Sequence, residues 1–532
     1  MSKRVSSEHS VNSPGGNPAP AVVVLDGSPL RIEDVVAVAR ERCAVSIAPT
    51  AIEAMSAARQ VIDKTLAAGS PVYGVNTGFG SLSRKRIGSD QLCDLQQNLV
   101  RSHAVGVDEP LDTELVRGMQ LLLAASLSRG RSGIRPVVVE RLVALLNANV
   151  VPVIPSRGSV GASGDLAPLA HAALVLIGEG YAVYDGQKMT GGEALEAAGI
   201  EPVQLQAKEG LALLNGTHLM GAMLTLAVAD LDLTFDAAVS ACAMSIDACR
   251  ATDAFCDPRL HEARAQVGQQ KVASELVRQL AGSTILTSHK TEDDPRVQDP
   301  YSLRCAPQVL GAVSDMIEYA RAIALRELSG VTDNPLIFTG SHSDANGRDW
   351  SNPIVSGGNF HGLPLALAMD ALGIAVAHLA GIAERRVFFL LAATDPQNPV
   401  NPYLSSEPGL HSGLMIAQYT AAATCNEIQT LAAPASVHNI PTSAGQEDYN
   451  SFGPTAGFQL RRAIRLAMQV VAIEFMCAAE GLEYQRPEQS GDVVEYVYRH
   501  IRRQVPRLER DRALSDDIAA VVGMIKRGGF GV

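Results

Sequence analysis

One short stretch of this chain carries unusual chemical potential. Gly158-Ser159-Val160-Gly161-Ala162-Ser163-Gly164-Asp165 is a glycine-punctuated turn with Ala-Ser-Gly at its centre. A glycine nitrogen has no bulky neighbouring Cβ, so in a tight turn the Gly164 nitrogen can reach the Ala162 carbonyl carbon and close a five-membered ring. Loss of two waters, one carrying off the Ser163 hydroxyl, leaves an exocyclic methylidene conjugated to the ring, a carbon electrophile that no ordinary side chain supplies. The same composition also fits a flexible Gly/Ser turn or a phosphate-cradling loop. The phosphate reading lacks the Lys-Ser or Lys-Thr of a Walker loop, and a nucleophile elbow needs Gly-x-Ser-x-Gly, whereas Ser163 is followed directly by glycine. The choice between turn and electrophile rests on the rest of the chain.

The run Gly-Ala-Ser-Gly-Asp-Leu-Ala-Pro-Leu-Ala-His from Gly161 to His171 resembles the signature of the aromatic amino-acid ammonia-lyases and aminomutases that depend on 4-methylideneimidazol-5-one, or MIO. The resemblance extends from about Leu30 to Pro487, with six separated motifs in the family's order. It implies an MIO group made from Ala162, Ser163 and Gly164 with no external cofactor, and a mainly α architecture of the ammonia-lyase and fumarase type.

Eliminating ammonia from an α-amino acid takes an electrophile, a base for the weakly acidic β-hydrogen and a clamp for the carboxylate. Tyr73, in Tyr-Gly-Val-Asn-Thr-Gly-Phe-Gly, matches the family's base-bearing loop, and a phenol serves as a base once positive charge or hydrogen-bond donors favour its ionised form. Alone, such a tyrosine reads as a structural hydrogen-bonding residue. Gln298-Asp299-Pro300-Tyr301-Ser302-Leu303-Arg304 is the second strong match. The Arg304 guanidinium is a natural bidentate partner for a carboxylate, and on a helix the three-residue spacing puts Tyr301 on the same face, one side chain near the MIO and one at the carboxylate. An isolated arginine more commonly pairs with a surface carboxylate. By resemblance Asn215 hydrogen-bonds the MIO ring, Asn334 helps hold the substrate carboxylate, and Phe360 packs beside the ring; otherwise these are two turn formers and a core aromatic.

Substrate choice falls to other positions. Ser102 and His103 stand where the family reads the substrate ring; Ser-His is typical of histidine lyases and occurs also in some tyrosine lyases and aminomutases. Glu427 stands where histidine lyases place a glutamate facing the imidazole, although phenylalanine lyases carry one too. Ala207 to Thr217 and Gln446-Glu447-Asp448 look most like histidine lyases. Two departures pull away: Asp395 to Leu404 lacks the family's Leu-Pro-x-Phe-Leu pattern, and His438 replaces a common aspartate. The leading expectation is conversion of L-histidine to trans-urocanate and ammonia. The alternatives are a tyrosine or phenylalanine ammonia-lyase, a tyrosine 2,3-aminomutase and, more remotely, a non-catalytic helical scaffold.

The elements that must position these groups are mostly helical. Of 532 residues, 47% are hydrophobic and only 4% aromatic, which favours closely packed helices over a β-sandwich. The net charge of -12, with basic residues dispersed among carboxylates, argues against nucleic acid as a partner. The eight cysteines form no CxxC pair, so neither a metal site nor a disulfide framework is expected, and a reducing cytoplasm fits. Cys242, Cys249 and Cys256 read as a buried seam. Residues 1–20 read as a disordered tail without a signal peptide's apolar segment. Residues 21–215 are expected to form an N-terminal head bearing the MIO loop, and 216–532 a central helical bundle with C-terminal helices.

Helices are expected over Ile32–Ile47, Ala51–Ala68, Asp90–Ala104, Thr113–Ser128 and Pro136–Asn147, with Asp165 capping the helix that follows the loop. Longer ones are expected over Leu219–Ala251, Pro307–Leu328, Pro364–Leu391, His411–Leu431 and Thr455–Gly481. Leu365–Ala383, interrupted by Asp370 and His378, reads as a buried helix and not as a membrane span. Short strands are expected near Ala182–Lys188 and Leu336–Val355, around an exposed loop at Gly340–Trp350. Helices apolar on nearly every face must be buried on all sides, which predicts a homotetramer with a shared helical core and shared active sites.

Overall fold

The computed structural model describes residues 22–69, 72–78, 86–290, 297–340, 343 and 346–531. The expected tail and part of the Gly340–Trp350 loop lie outside them. Long helices dominate. His218–Ala248 runs through the middle of a bundle with Ala306–Leu328, Leu363–Ala392, Met415–Leu431 and Gly453–Glu483. Every side chain from His218 to Val228 and from Ala237 to Ala248 is buried, which is what an apolar sequence without an amphipathic face requires. Cys242, Cys249 and Cys256 lie inside, as the buried-seam reading expects.

Leu363–Ala392 is long and apolar enough to cross a membrane by composition alone. It packs instead against Gly453–Glu483, Ala306–Leu328, Met415–Leu431 and His218–Ala248. Its burial is one-sided: Leu367, Ile374 and Phe388 stay 45–49% exposed. Inside the bundle, Arg386 Nη2 donates to Glu474 Oε2 at 2.8 Å and Ser245 Oγ to Glu474 Oε1 at 2.8 Å. Three helices are thereby tied together by one buried carboxylate whose acceptors are all used.

Around one end of the bundle stand Ile32–Arg40, Pro49–Ala68, Leu92–His103, Thr113–Ser128 and Pro136–Ala148. Buried Arg117 donates to the carbonyls of Val38 at 3.0 Å and Leu146 at 2.9 Å, satisfying buried acceptors in the last turns of two helices. One expectation fails here. The helix from Ile32 stops at Arg40, and Ala44–Ile47 is a strand paired in parallel with Val22–Leu25. Arg42 adopts a left-handed φ of 58°, which breaks the helix, and Val23, Leu25 and Val45 then turn into the core. The expected strands form hairpin-like pairs, Tyr181–Tyr184 with Gln187–Thr190 and Leu336–Ile337 with Ile354–Val355. The fourth long helix begins at Met415 and not at His411, because Gly413 at φ 60° is wedged against the Tyr403 carbonyl.

Candidate active site

The Gly161–Gly164 turn sits over the converging starts of three central helices. Asp165 Oδ2 accepts from the backbone N–H groups of Leu219 at 2.9 Å and Met220 at 3.0 Å, at the start of His218–Ala248. The Gly362 N–H, just before Leu363–Ala392, donates to the Gly161 carbonyl at 3.4 Å. The Phe452 N–H, just before Gly453–Glu483, donates to the Val160 carbonyl at 2.9 Å, and Ser451 Oγ to the Gly161 carbonyl at 2.9 Å. Helix N-termini carry partial positive charge, so this convergence favours anionic groups above the turn.

Asp165 therefore does not cap the helix it precedes: no backbone N–H of Leu166–Leu176 bonds its side chain. Its carboxyl is committed to the neighbouring helix and to Ser159 Oγ at 3.2 Å. Full burial pushes its pKa up to about 7, against the lowering effect of those donors.

The turn is tight and held against a neighbouring backbone. Gly161 and Gly164 sit at φ 67° and 75°, and a Cβ on Gly164 would lie 2.0 Å from the Gly216 carbonyl oxygen. Only glycine fits where two backbones approach this closely. The Gly216 N–H faces the Ser163 carbonyl at 3.4 Å. Next to it, Asn215 Oδ1 is buried and has no hydrogen-bond partner among the described residues. The Asn215 amide therefore stands on the wall that holds Ser163 with one polar atom unused.

A cavity of about 450 Å³ opens above the turn, lined by Tyr73, Ala162, Ser163, Asn215, Asn334 and Phe360. Ser356, Gly357, His361 and the loop Gln446–Tyr449 complete its wall. Tyr73 is placed by a turn in which Asn76 Oδ1 accepts from the Val72 N–H at 2.8 Å. In that turn Gly74, at φ 73°, lies so close to Leu211 that a Cβ would meet it at 2.5 Å. Asn334 Oδ1 accepts from the Gly357 N–H at 2.7 Å.

Four other contacts, whose roles sequence reasoning missed, build this wall. Lys208 Nζ donates to Asp333 Oδ2 at 2.6 Å in a fully buried pair that ties the segment before Asn215 to the one before Asn334. Glu209, equally buried, receives Arg135 Nη2 at 2.7 Å. His361 Nε2 lies 2.9 Å from the Tyr449 carbonyl. Ser163 Oγ donates to Glu447 Oε1 at 3.0 Å. The charges in Lys208-Glu209, set before an apolar run, were the available signal; nothing local to them names their partners.

The remaining site candidates are elsewhere in the subunit. Tyr301 and Arg304 form a single helical turn with the Arg304 guanidinium 4.5 Å above the Tyr301 ring, as the spacing predicts. Tyr301 is 70% exposed, and Arg304 bonds the Asp299 carbonyl at 2.9 Å and Gln298 Oε1 at 2.9 Å. Gln298 lines a separate recess with Asp299, Pro300 and Thr394–Gln397. The expectation that one of the Tyr301–Arg304 pair sits at the electrophile and the other at the carboxylate is therefore not met within one chain, since neither lines the Ser163 cavity. Glu427 pairs with Arg462 Nε at 2.8 Å, and Ser102 Oγ and His103 Nδ1 both bond the Leu99 carbonyl at the end of their helix, at 3.0 and 2.8 Å. None of these three is on the cavity wall either.

The aromatic amino acid lyase family matches residues 30–503. The chain is 44% identical to a histidine ammonia-lyase of Stigmatella aurantiaca over 504 residues, covering 95% of this chain and 96% of that one. The crystal structure of histidine ammonia-lyase from Trypanosoma cruzi superposes with a TM-score of 0.87 at 38% identity, covering 96% and 94% of the two chains. A tyrosine aminomutase from Streptomyces globisporus gives a TM-score of 0.88 at 34% identity, with 96% and 97% covered.

Proposed function

From the premise that this chain belongs to the aromatic amino acid lyase family, and is a carbon–nitrogen lyase, we propose that it eliminates ammonia from L-histidine to give trans-urocanate. One observation carries the site assignment: Tyr73, Ser163, Asn215, Asn334 and Phe360, from five separate segments, meet at one cavity. Ala162, Ser163 and Gly164 would form the MIO ring by self-condensation, and that group supplies an electrophilic carbon for the substrate. The Asn215 amide N–H donates a hydrogen bond to the ring. The Tyr73 oxygen takes a β-hydrogen as a proton; the C–H electron pair becomes the new double bond as the Cα–N bond breaks and ammonia departs. The positive ends of three helices favour the charge that develops above the turn. Asn334 helps hold the carboxylate, and Phe360 packs against the ring.

Arg304, with Gln298 and Tyr301 beside it, is the carboxylate clamp, and Ser102, His103 and Glu427 read the imidazole. Their distance from the Ser163 cavity within one subunit supports a homotetramer whose sites are shared between chains. The exposed apolar residues Leu367, Ile374 and Phe388, with Ile416 and Tyr419 on the adjoining helix, support burial against further copies. Eight cysteines held as thiols support a reducing, cytoplasmic setting.

The test offers L-histidine, L-tyrosine and L-phenylalanine separately and follows the conjugated product by ultraviolet absorbance. Urocanate is expected to form fastest. Coumarate or cinnamate forming faster, or a β-amino acid in the product, refutes the assignment. Ser163→Ala should abolish both turnover and the chromophore seen by difference spectrum; a scaffold protein would show neither effect. Light scattering of the active species should give a tetramer, and an active monomer refutes the shared sites.

A further inference from the structure

We propose that Glu447 is the acid–base residue that dehydrates Ser163 during formation of the electrophile, an inference that rests on the MIO reading above. Ser163 Oγ donates to Glu447 Oε1 at 3.0 Å, across 284 positions of sequence. The other carboxylate oxygen, Oε2, accepts Thr442 Oγ1 at 2.9 Å, and Glu447 and Thr442 are further joined through their backbones, Thr442 N–H to the Glu447 carbonyl at 2.9 Å. The carboxylate is thus fixed from behind and aimed at one leaving group. Hydroxide is a poor leaving group at neutral pH, so the oxygen that departs from Ser163 must be protonated as its bond breaks. No other side chain is hydrogen-bonded to Ser163 Oγ among the described residues.

The step balances without an external reagent. The Cα–H bond of residue 163 breaks and its proton passes through cavity solvent to the Glu447 carboxylate. The electron pair left behind forms the Cα–Cβ double bond, and the Cβ–Oγ bond breaks. Oγ leaves as water with its own hydrogen and the proton returned by Glu447, which is again a carboxylate. Nothing is oxidised, and the net loss is one water. The other water comes from the ring closure between Gly164 and Ala162, in which Glu447 takes no part.

The experiment follows the intact mass of freshly synthesised chain against time, with an ultraviolet difference spectrum, for the parent, Glu447→Gln, Glu447→Met and Glu447→Asp. The parent is expected to lose the mass of two waters. Glu447→Gln keeps the shape and a hydrogen bond but cannot move a proton, so its second dehydration should slow at least about 100-fold, with chain lacking one water or none accumulating. Glu447→Met should behave likewise, and Glu447→Asp should recover part of the rate. Equal helical circular dichroism and equal particle size establish that each variant is folded; using two neutralising variants keeps the test valid should one fail to fold. Glu447→Gln or Glu447→Met reaching the full two-water deficit at the parent's rate overturns the proposal. A parent chain with its full unmodified mass would instead overturn the MIO reading itself.

Discussion

The Lys208–Asp333 pair offers a quantitative check on how the cavity wall is held. The ammonium and carboxylate are 2.6 Å apart, with side chains 0% and 1% exposed. Burial lowers the Lys208 pKa from its ordinary value while Asp333 opposes that shift, so the carboxylate favours the charged ammonium. Lys208→Met leaves a buried carboxylate without its cation, which costs about 3–5 kcal/mol. Asp333→Leu strands the ammonium at a similar cost and also removes the acceptor of the Asn334 N–H, a 2.6 Å bond whose loss adds about 1–3 kcal/mol. In the double variant no uncompensated charge remains, so the cost should fall to roughly that of the lost acceptor. A double-mutant cycle by urea denaturation at fixed protein concentration should therefore give a coupling near the two stranded-charge costs together, about 6–10 kcal/mol. Since the pair ties the Asn215 segment to the Asn334 segment, kcat/KM should fall in both single variants and recover partly in the double one. A coupling below about 1 kcal/mol would refute the view that these charges are buried and mutually dependent.

Tyr73→Phe should leave folding intact and lower kcat by about 10²–10⁴-fold in a urocanate absorbance assay, with KM changed far less; an unchanged kcat removes Tyr73 as the base. Gly164→Ala places a Cβ 2.0 Å from the Gly216 carbonyl oxygen at a φ of 75°, so intact mass should show unmodified chain; a normal two-water deficit contradicts the geometry. His218 is fully buried with both ring nitrogens unpartnered among the described residues, and burial pushes its pKa down to about 3. The unfolded chain therefore binds a proton that the folded chain refuses: the stability this group contributes is present above pH 6.5 and drains away as pH falls toward 3, by up to about 1.4 kcal/mol per pH unit. His218→Gln should flatten the acid limb of the stability profile over that window; an identical slope shows that His218 is not the group responsible.

Much of the helical frame was legible because its signals are local. Thr113–Ser128 and the long helices at Ala306–Leu328 and Leu363–Ala392 follow from long apolar stretches bounded by proline and turn residues. The strand Ala44–Ile47 was not, because four residues with a helix-compatible pattern become a strand only when Val22–Leu25 lies alongside. Of the site, the Ala162-Ser163-Gly164 turn, Tyr73, Asn215, Asn334 and Phe360 were readable as motifs, and they meet at one cavity. Tyr301 and Arg304 were equally readable but do not line it, since a motif does not say where the fold will place its residues.

The sequence by itself determined the tight turn at Ala162-Ser163-Gly164, for its glycines permit backbone angles that other residues resist, and that preference is a property of each residue alone. Tertiary structure decided where the charges go. Asp165 serves the helix at Leu219 and not its own, and Glu447 reaches Ser163 across the fold. A carboxylate bonds whichever donor lies within about 3 Å, and that distance is set by how the helices pack.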